Sequence, residues 1–203
     1  MSKNLKEIAD KIMKNDTKVI GIVFETHARY IETKEGKQGL KKVEKKMAEL
    51  GYPINFDKLI KGKARFKYYP IGLADLVIIV AKEIFGWSEK DVFDMGNNAP
   101  KYSLIVKLLL RYFVTLERSL KEAPKYWRKH FTKGKLEYEL HNKEKYVIIK
   151  LKFDITHPLL CIFYAGYFLR IAQYVVKSKN ITIKETKCKF KGDEYHEYFI
   201  SWK

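Results

Sequence analysis

The sequence predicts an α+β fold: a helical N-terminal half, then a four-stranded antiparallel sheet with an inserted helix, in the order strand–strand–helix–strand–strand. Three observations carry this. Apolar residues recur at three- and four-residue spacing through residues 1–130. From residue 131 the period shortens to two, in four stretches that flank one strongly apolar helical stretch. No repeat, low-complexity tract or Ser/Gly/Pro-rich linker interrupts the chain. It therefore reads as a single domain over 1–203, with a leading helix at 1–17, a helical half at 18–130 and a ββαββ half at 131–203.

Taken in order, residues 3–14 are amphipathic and predict a short leading helix. Lys18–Val23 enters a segment, Phe24–Lys34, that can continue as helix. A helix follows at 37–50, where Leu40, Val43, Met47 and Leu50 share one face and Lys41, Lys42, Lys45 and Lys46 take the others. Gly51 stands where a left-handed cap is wanted. Tyr52–Pro70 reads as a loop into an apolar helix at 71–85. Ser88 and Asp91 have capping-box spacing, with Trp87 and Val92 in the staple positions, so another helix starts there. Beyond Gly96 and Pro100 the pattern predicts a long helix over 101–122, with Leu104, Ile105, Leu108, Leu109, Tyr112, Phe113, Leu116 and Leu120 in its apolar stripe. Lys135–Leu140 and Tyr146–Phe153 alternate as a hairpin. Residues 158–177 are helical and apolar nearly all round, and Ile181–Phe190 with Glu194–Trp202 form a second hairpin turning at Lys191-Gly192-Asp193.

Charge is the strongest compositional signal: 41 Lys and Arg against 24 Asp and Glu give a formal net charge of +17. A polyanion partner, either nucleic acid or an anionic membrane surface, is one reading. The lysines are spread along the whole chain and greatly outnumber the arginines that phosphate forks favour, so a dispersed solvating charge is the preferred one. The two cysteines, Cys161 and Cys188, make no disulfide framework, and the first residues lack the pattern of a secretory or transit segment, which points to the cytoplasm. The apolar runs Ile71–Ala81 and Pro158–Leu169 fall short of the roughly 20 residues that cross a bilayer. No membrane span is expected.

The catalytic vocabulary is missing. The five histidines, His27, His130, His141, His157 and His196, show no HExxH or HxH spacing, and the chain has no GxSxG, GxGxxG or phosphate-binding loop. An enzyme is not expected. Cys188 and His196 approach each other across the last hairpin and are weak candidates for a metal, but two ligands make no structural zinc site. A cross-strand structural pair is the expectation. The helix at 158–177, apolar on all sides, must be covered on all sides. The sheet covers one face and the stripe of 101–120 another, which leaves a slot with Leu109, Phe113 and Leu116 on one wall and Tyr164, Tyr167 and Phe168 on the other. That slot is either an apolar ligand pocket oriented by phenolic hydroxyls or a solid core.

The ending CKFKGDEYHEYFISW (188–202) resembles the closing hairpin of 4-vinyl reductase-type small-molecule sensor domains, with His196 where those show a second cysteine. IGIVFETHARY (20–30) and DVFDMGNNAPKY (91–102) resemble the haem nitric oxide/oxygen-binding domains and their haem-free relatives. The resemblance covers about residues 18–203. It implies the helical-half-plus-sheet fold shared with subunits of the TRAPP tethering complex, an internal small-molecule site, and a signal passed through a homodimer or a protein partner. Haem-binding members carry a proximal histidine on the long helix and a Tyr-x-Ser-x-Arg motif on the following strand. Here 101–122 holds no histidine, His130 is placed past the helix, and the strand end reads Phe153-Asp154-Ile155-Thr156-His157. The expectation is therefore a non-enzymatic sensor for an apolar small molecule, without haem or any other cofactor. A basic nucleic-acid-binding module and a haem- or tetrapyrrole-binding protein are the alternatives.

Overall fold

A computed structural model of the chain describes residues 2–103, 106 and 115–203. Helix α1 (Ser2–Ile12) precedes a short strand β1 (Lys18–Ile20) and a long helix α2 (Ile22–Glu49). Helix α2 is two helices in series: Gly36, with φ 70° and ψ −179°, breaks it where the sequence reading began a helix at 37. That φ is one glycine reaches without penalty, and no atom crowds the position, so conformational freedom alone accounts for the residue. The expected loop 52–70 is more ordered than its sequence suggests. It contains α3 (Phe56–Ile60), a 3₁₀ turn (Gly62–Phe66) and β2 (Tyr68–Pro70), which pairs antiparallel with β1. Strands of three residues are too short to show a period, which is why alternation did not reveal them.

Helix α4 (Ile71–Phe85) has the expected bounds, and Ser88 with Asp91 forms the reciprocal capping box at the start of α5 (Glu89–Tyr102). The helix expected over 101–122 is not one element. Helix α5 runs through Gly96 and Pro100 and ends at Ser103; a separate helix α6 (Leu116–His130) begins where the Thr115 side chain accepts from the Arg118 N–H. Most of the expected stripe between them, Leu109 and Phe113 included, lies outside the described residues.

The second half is ββαββ as expected. Strands β3 (Lys135–His141), β4 (Tyr146–Lys152), β5 (Ile181–Lys187) and β6 (His196–Trp202) form an antiparallel sheet in the order β3-β4-β6-β5. Helix α7 (Pro158–Val175) lies between this sheet and α5. By length and composition α7 is apolar enough to cross a membrane, and 44% of it is buried inside the fold. Its packing on α5 depends on two missing side chains. A Cβ on Gly96 would sit 1.9 Å from the Phe163 carbonyl oxygen, and one on Gly166 would sit 2.0 Å from that of Phe93. Asn97 locks the crossing: its Nδ2 donates to the Gly166 carbonyl at 3.1 Å, and Arg170 donates back to Asn97.

Candidate ligand pocket and metal centre

Helix α7 needs cover on every face, and the cover is incomplete. A cavity of about 210 Å³ lies between it, α2, α4, α6 and β4. Leu116, Tyr164, Tyr167 and Phe168 line it, while Leu109 and Phe113 fall outside the described residues. The slot expected between two helices and the sheet has a further wall of Ile22, Val23 and His27 from α2 with Ala74, Asp75 and Ile78 from α4. Sequence reasoning missed that wall because amphipathicity shows that a face is buried, not what it is buried against. An engineered apolar cavity of about 150 Å³ holds benzene, so this volume suits a molecule of one or two rings.

Thr26, Ser103, Ser119 and several tyrosines put hydroxyl-bearing residues in the lining, and four further polar residues break its apolar character. His27 is 4% exposed, its ring stands edge-on to Phe163 at 5.6 Å, and its Nδ1 is buried with no hydrogen-bond partner. Burial alone pushes its pKa down to about 3, so the imidazole is neutral. Trp127, 7% exposed, is wedged among Phe131, Phe153 and Tyr164, and its Nε1 is likewise buried and unpartnered. Asp75 accepts a 2.6 Å hydrogen bond from Thr156, but burial outweighs that bond and raises its pKa to about 7. The fourth is His130, on the last turn of α6 and not past it as expected; the discrepancy follows from α6 starting at Leu116. Its Nδ1 lies 2.9 Å from the Tyr126 carbonyl, which can only accept, so Nδ1 carries the proton and Nε2 keeps its lone pair. Burial lowers its pKa, which also favours that neutral form.

A second cluster lies under the other end of α7. Cys161 from α7, Glu185 from β5, Cys188 just beyond β5 and His196 from β6 offer ligand atoms all within 4.8 Å of one another. Cys161 Sγ is 3.6 Å from His196 Nδ1, which is 3.5 Å from Glu185 Oε1. Ligand atoms around a tetrahedral zinc stand roughly 3.4–3.8 Å apart, given bonds of about 2.0–2.3 Å. The sequence reading found Cys188 and His196 and stopped at two ligands. Cys161 was invisible to it because 27 residues separate Cys161 from Cys188 in the chain, and Glu185 because a register shift between Glu185 and Lys187 marks a bulge beside the cluster. Asp193 accepts from the Cys188 N–H at 2.8 Å and so ties the hairpin turn to the cluster. Burial raises the Cys161 thiol pKa, and Glu185 Oε1 and His196 Nε2 are buried without hydrogen-bond partners.

By sequence the chain matches no family profile and no curated protein. Its fold does match solved structures. An H-NOX protein from S. oneidensis in the Fe(II)NO ligation state superposes with a TM-score of 0.66 at 13% identity, covering 90% of this chain and 98% of that one. An oxygen-binding H-NOX domain related to soluble guanylate cyclases, in its oxygen complex, gives 0.61 at 12% identity over 91% and 95% of the two chains. A structure from work on haem distortion in the H-NOX family gives 0.62 at 12% identity over 91% and 95%. At this identity the likeness is one of fold, and it confirms the architecture expected from the resemblance.

The comparison corrects the expectation of no cofactor. Structures with this fold are described with haem and with iron-bound ligands, so the fold offers no basis for leaving the group out. The residue argument for leaving it out also rested on a helix boundary that the structure moves. His130 lies on the helix, lines the pocket, and has one nitrogen engaged by a backbone carbonyl, the arrangement that orients metal-bound histidines. The strand end at 153–157 has structural tasks: Phe153 packs on Trp127, Thr156 bonds Asp75, and the His157 side chain caps α7.

Proposed function

We propose that this chain is a small-molecule-sensing domain that takes its ligand into the pocket around α7 and transmits occupancy to a protein partner or a second copy. The observation that supports this is the pocket itself: a cavity of about 210 Å³ whose lining is mostly aliphatic and aromatic side chains. The cluster of Cys161, Glu185, Cys188 and His196 serves in this reading as a structural metal centre, best suited to zinc by its mixed S, N and O donors.

Haem is a second reading, and His130 is the observation that favours it. When bound, haem supplies an iron that takes a diatomic gas, as in the S. oneidensis and oxygen-binding neighbours. The chain's own part would be to hold that iron through His130 Nε2, with Tyr126 fixing the ring, and to keep water away with the Phe163, Tyr164 and Phe168 rings. The carboxylates of the group would have to reach beyond the pocket lining. Titrating the purified chain with hemin separates the readings. A stoichiometric Soret band that His130→Ala abolishes establishes the haem site. Saturable binding of small apolar probes with no Soret band establishes the first reading, and neither response removes the sensor proposal.

A further inference from the structure

The lysines are dispersed along the chain, but the fold gathers part of them around one short ribbon. Segments 17–24, 58–74 and 123–136 together carry eleven Lys and Arg and no Asp or Glu. Strand β1 joins them: it pairs with β2 along one side, and Val19 bridges Phe131 on the other. The Lys18 N–H donates to the Thr132 hydroxyl at 2.9 Å, and Tyr68 donates to the Lys129 carbonyl at 2.8 Å. The carboxylates that flank the three segments do not neutralise them. Asp16, Glu25, Asp57 and Glu122 pair with Lys133, Arg65, Lys61 and Lys125, Asp75 is buried, and Glu137 is held by Lys152. Four of the eleven cations are so paired, which leaves seven, Lys18, Lys63, Lys67 and Lys129 among them, with no acidic partner among the described residues.

Apolar surface stands in the middle of this charge. Phe66 is 57% exposed and Tyr68 45% exposed, two of the four large hydrophobic side chains most open to solvent among the described residues. The register sets Ile20 opposite Tyr68 and Pro70 opposite Lys18, on the outward side of the ribbon. Val19 and Tyr69 take the inward side, Val19 in the core and Tyr69 edge-on to Phe24 at 5.5 Å. The turn that presents Phe66 is firmly held. Arg65 pairs with Glu25 at 2.6 Å, the Gly21 N–H donates to the Lys67 carbonyl at 2.8 Å, and Tyr69 donates to the Ala64 carbonyl at 3.1 Å. A Cβ on Gly21 would stand 2.9 Å from the Ala64 carbonyl oxygen, so the turn lies directly on the start of α2. The fold fixes the backbone here and still leaves the phenyl ring mostly in water, which is the mark of a contact surface.

We propose that this face docks on a lipid bilayer carrying anionic headgroups, with the lysines among the headgroups and Phe66, Ile20 and Pro70 at the edge of the acyl chains. Charge complementarity selects an anionic partner, and the apolar members select the bilayer. Nucleic acid would meet the same cations, but Ile20 and Pro70 offer no flat π-face to a base. The Tyr68 hydroxyl is engaged by Lys129, and Arg65, the arginine beside Phe66, is held by Glu25. The attachment is peripheral: lysines supply a salt-sensitive attraction, and the exposed ring and its aliphatic neighbours supply a part that salt does not screen.

Co-sedimentation of the intact chain with vesicles tests this, using phosphatidylcholine alone and equal parts phosphatidylcholine and phosphatidylglycerol at physiological salt. The chain is expected to bind the mixed vesicles and not the neutral ones. The double variant Lys63→Glu/Lys67→Glu should bind about thirtyfold more weakly, each lysine near an anionic surface contributing about a factor of five. Phe66→Ser, which changes no charge, should bind about tenfold more weakly. The comparison is Lys179→Glu/Lys184→Glu, two exposed lysines at the β5 edge of the sheet, which alters the net charge equally and should leave most binding in place. Should the Lys63/Lys67 variant fail to fold, Phe66→Ser and the β5-edge variant decide. Equal losses in the two double variants would mean a general attraction of a basic protein to anions, which overturns the proposal. So would full binding by Phe66→Ser, or no binding to the mixed vesicles. Tighter, Phe66-dependent binding of a labelled oligothymidylate assigns the face to nucleic acid, and a dimer that Phe66→Ser abolishes assigns it to a second copy; either overturns the bilayer.

Discussion

His27 and Asp75 both line one cavity, and burial disfavours the charged form of each, with opposite consequences for stability. The folded pKa of Asp75 is raised from 3.8 to about 7, so between those values the native state holds a proton that the unfolded chain has released. Its contribution is complete below pH 3.8 and is lost as pH rises toward 7. The folded pKa of His27 is depressed from 6.5 to about 3, so in that window the unfolded chain binds the extra proton. Its contribution is complete above pH 6.5 and is lost as pH falls. Each effect is on the order of 4 kcal/mol, and across the mildly acidic range they oppose each other. Urea-unfolding midpoints from pH 4 to 8 should therefore be nearly flat for the unaltered chain. Asp75→Asn should show stability that rises with pH up to the histidine's unfolded pKa, and His27→Phe should show stability that falls with pH until Asp75 is fully ionised. Parallel slopes in the two variants would mean that these groups are hydrated and that the cavity is open to water.

At the scale of elements, the α5–α7 crossing is the joint on which the pocket depends. It brings α7 close enough to α5 for Asn97 to reach the Gly166 carbonyl, and it holds the Tyr164 and Phe168 rings against the cavity. A methyl at Gly96 would meet backbone at 1.9 Å, against the 3.4 Å at which ordinary contact begins, and backbone does not move aside as a side chain end does. Gly96→Ala and Gly166→Ala should each cost about 3 kcal/mol or more, read as a fall in melting temperature of about 6–12 °C. Gly36→Ala, at a position with open space, should cost only the strain of its positive φ. The sequence did not distinguish these roles. It used Gly96 and Pro100 to place a boundary, whereas a helix crossing needed the first and the last turn of α5 tolerates the second. Where one helix or hairpin carried a long period, as in α4, α7 and the four strands, the pattern was legible. Short strands β1 and β2, the start of α6, Cys161 and Glu185 of the cluster and the α2–α4 wall of the pocket were not, because each depends on a neighbour distant in the chain.

Across the whole molecule, α7 and β6 contribute to both candidate sites, β6 through His196 in the cluster and Ile200 in the cavity wall. Cys161 points to the metal cluster, while Leu160, Phe163 and Tyr164 beside it line the cavity. The cluster therefore pins the start of α7 to the far edge of the sheet, and the Tyr198 hydroxyl reinforces the pin by donating to the Cys161 carbonyl at 3.1 Å. A divalent cation bound there acts as a ligand of the native state alone and stabilises it by about 2.7 kcal/mol at a free concentration one hundred times its Kd. For a chain of this length that is a gain of roughly 5–11 °C in melting temperature. One equivalent of zinc should be found by elemental analysis of protein purified without chelator, and Cys161→Ser or Cys188→Ser should lose it. Because the pin and the cavity share α7, removing the metal should also weaken probe binding in the pocket, even though no ligand to the metal lines it. The measurement is the probe affinity before and after chelation, at a temperature where circular dichroism shows that the stripped protein is folded. Unchanged affinity together with loss of the metal would show that the two sites are independent and that α7 holds its position through the α5 crossing alone.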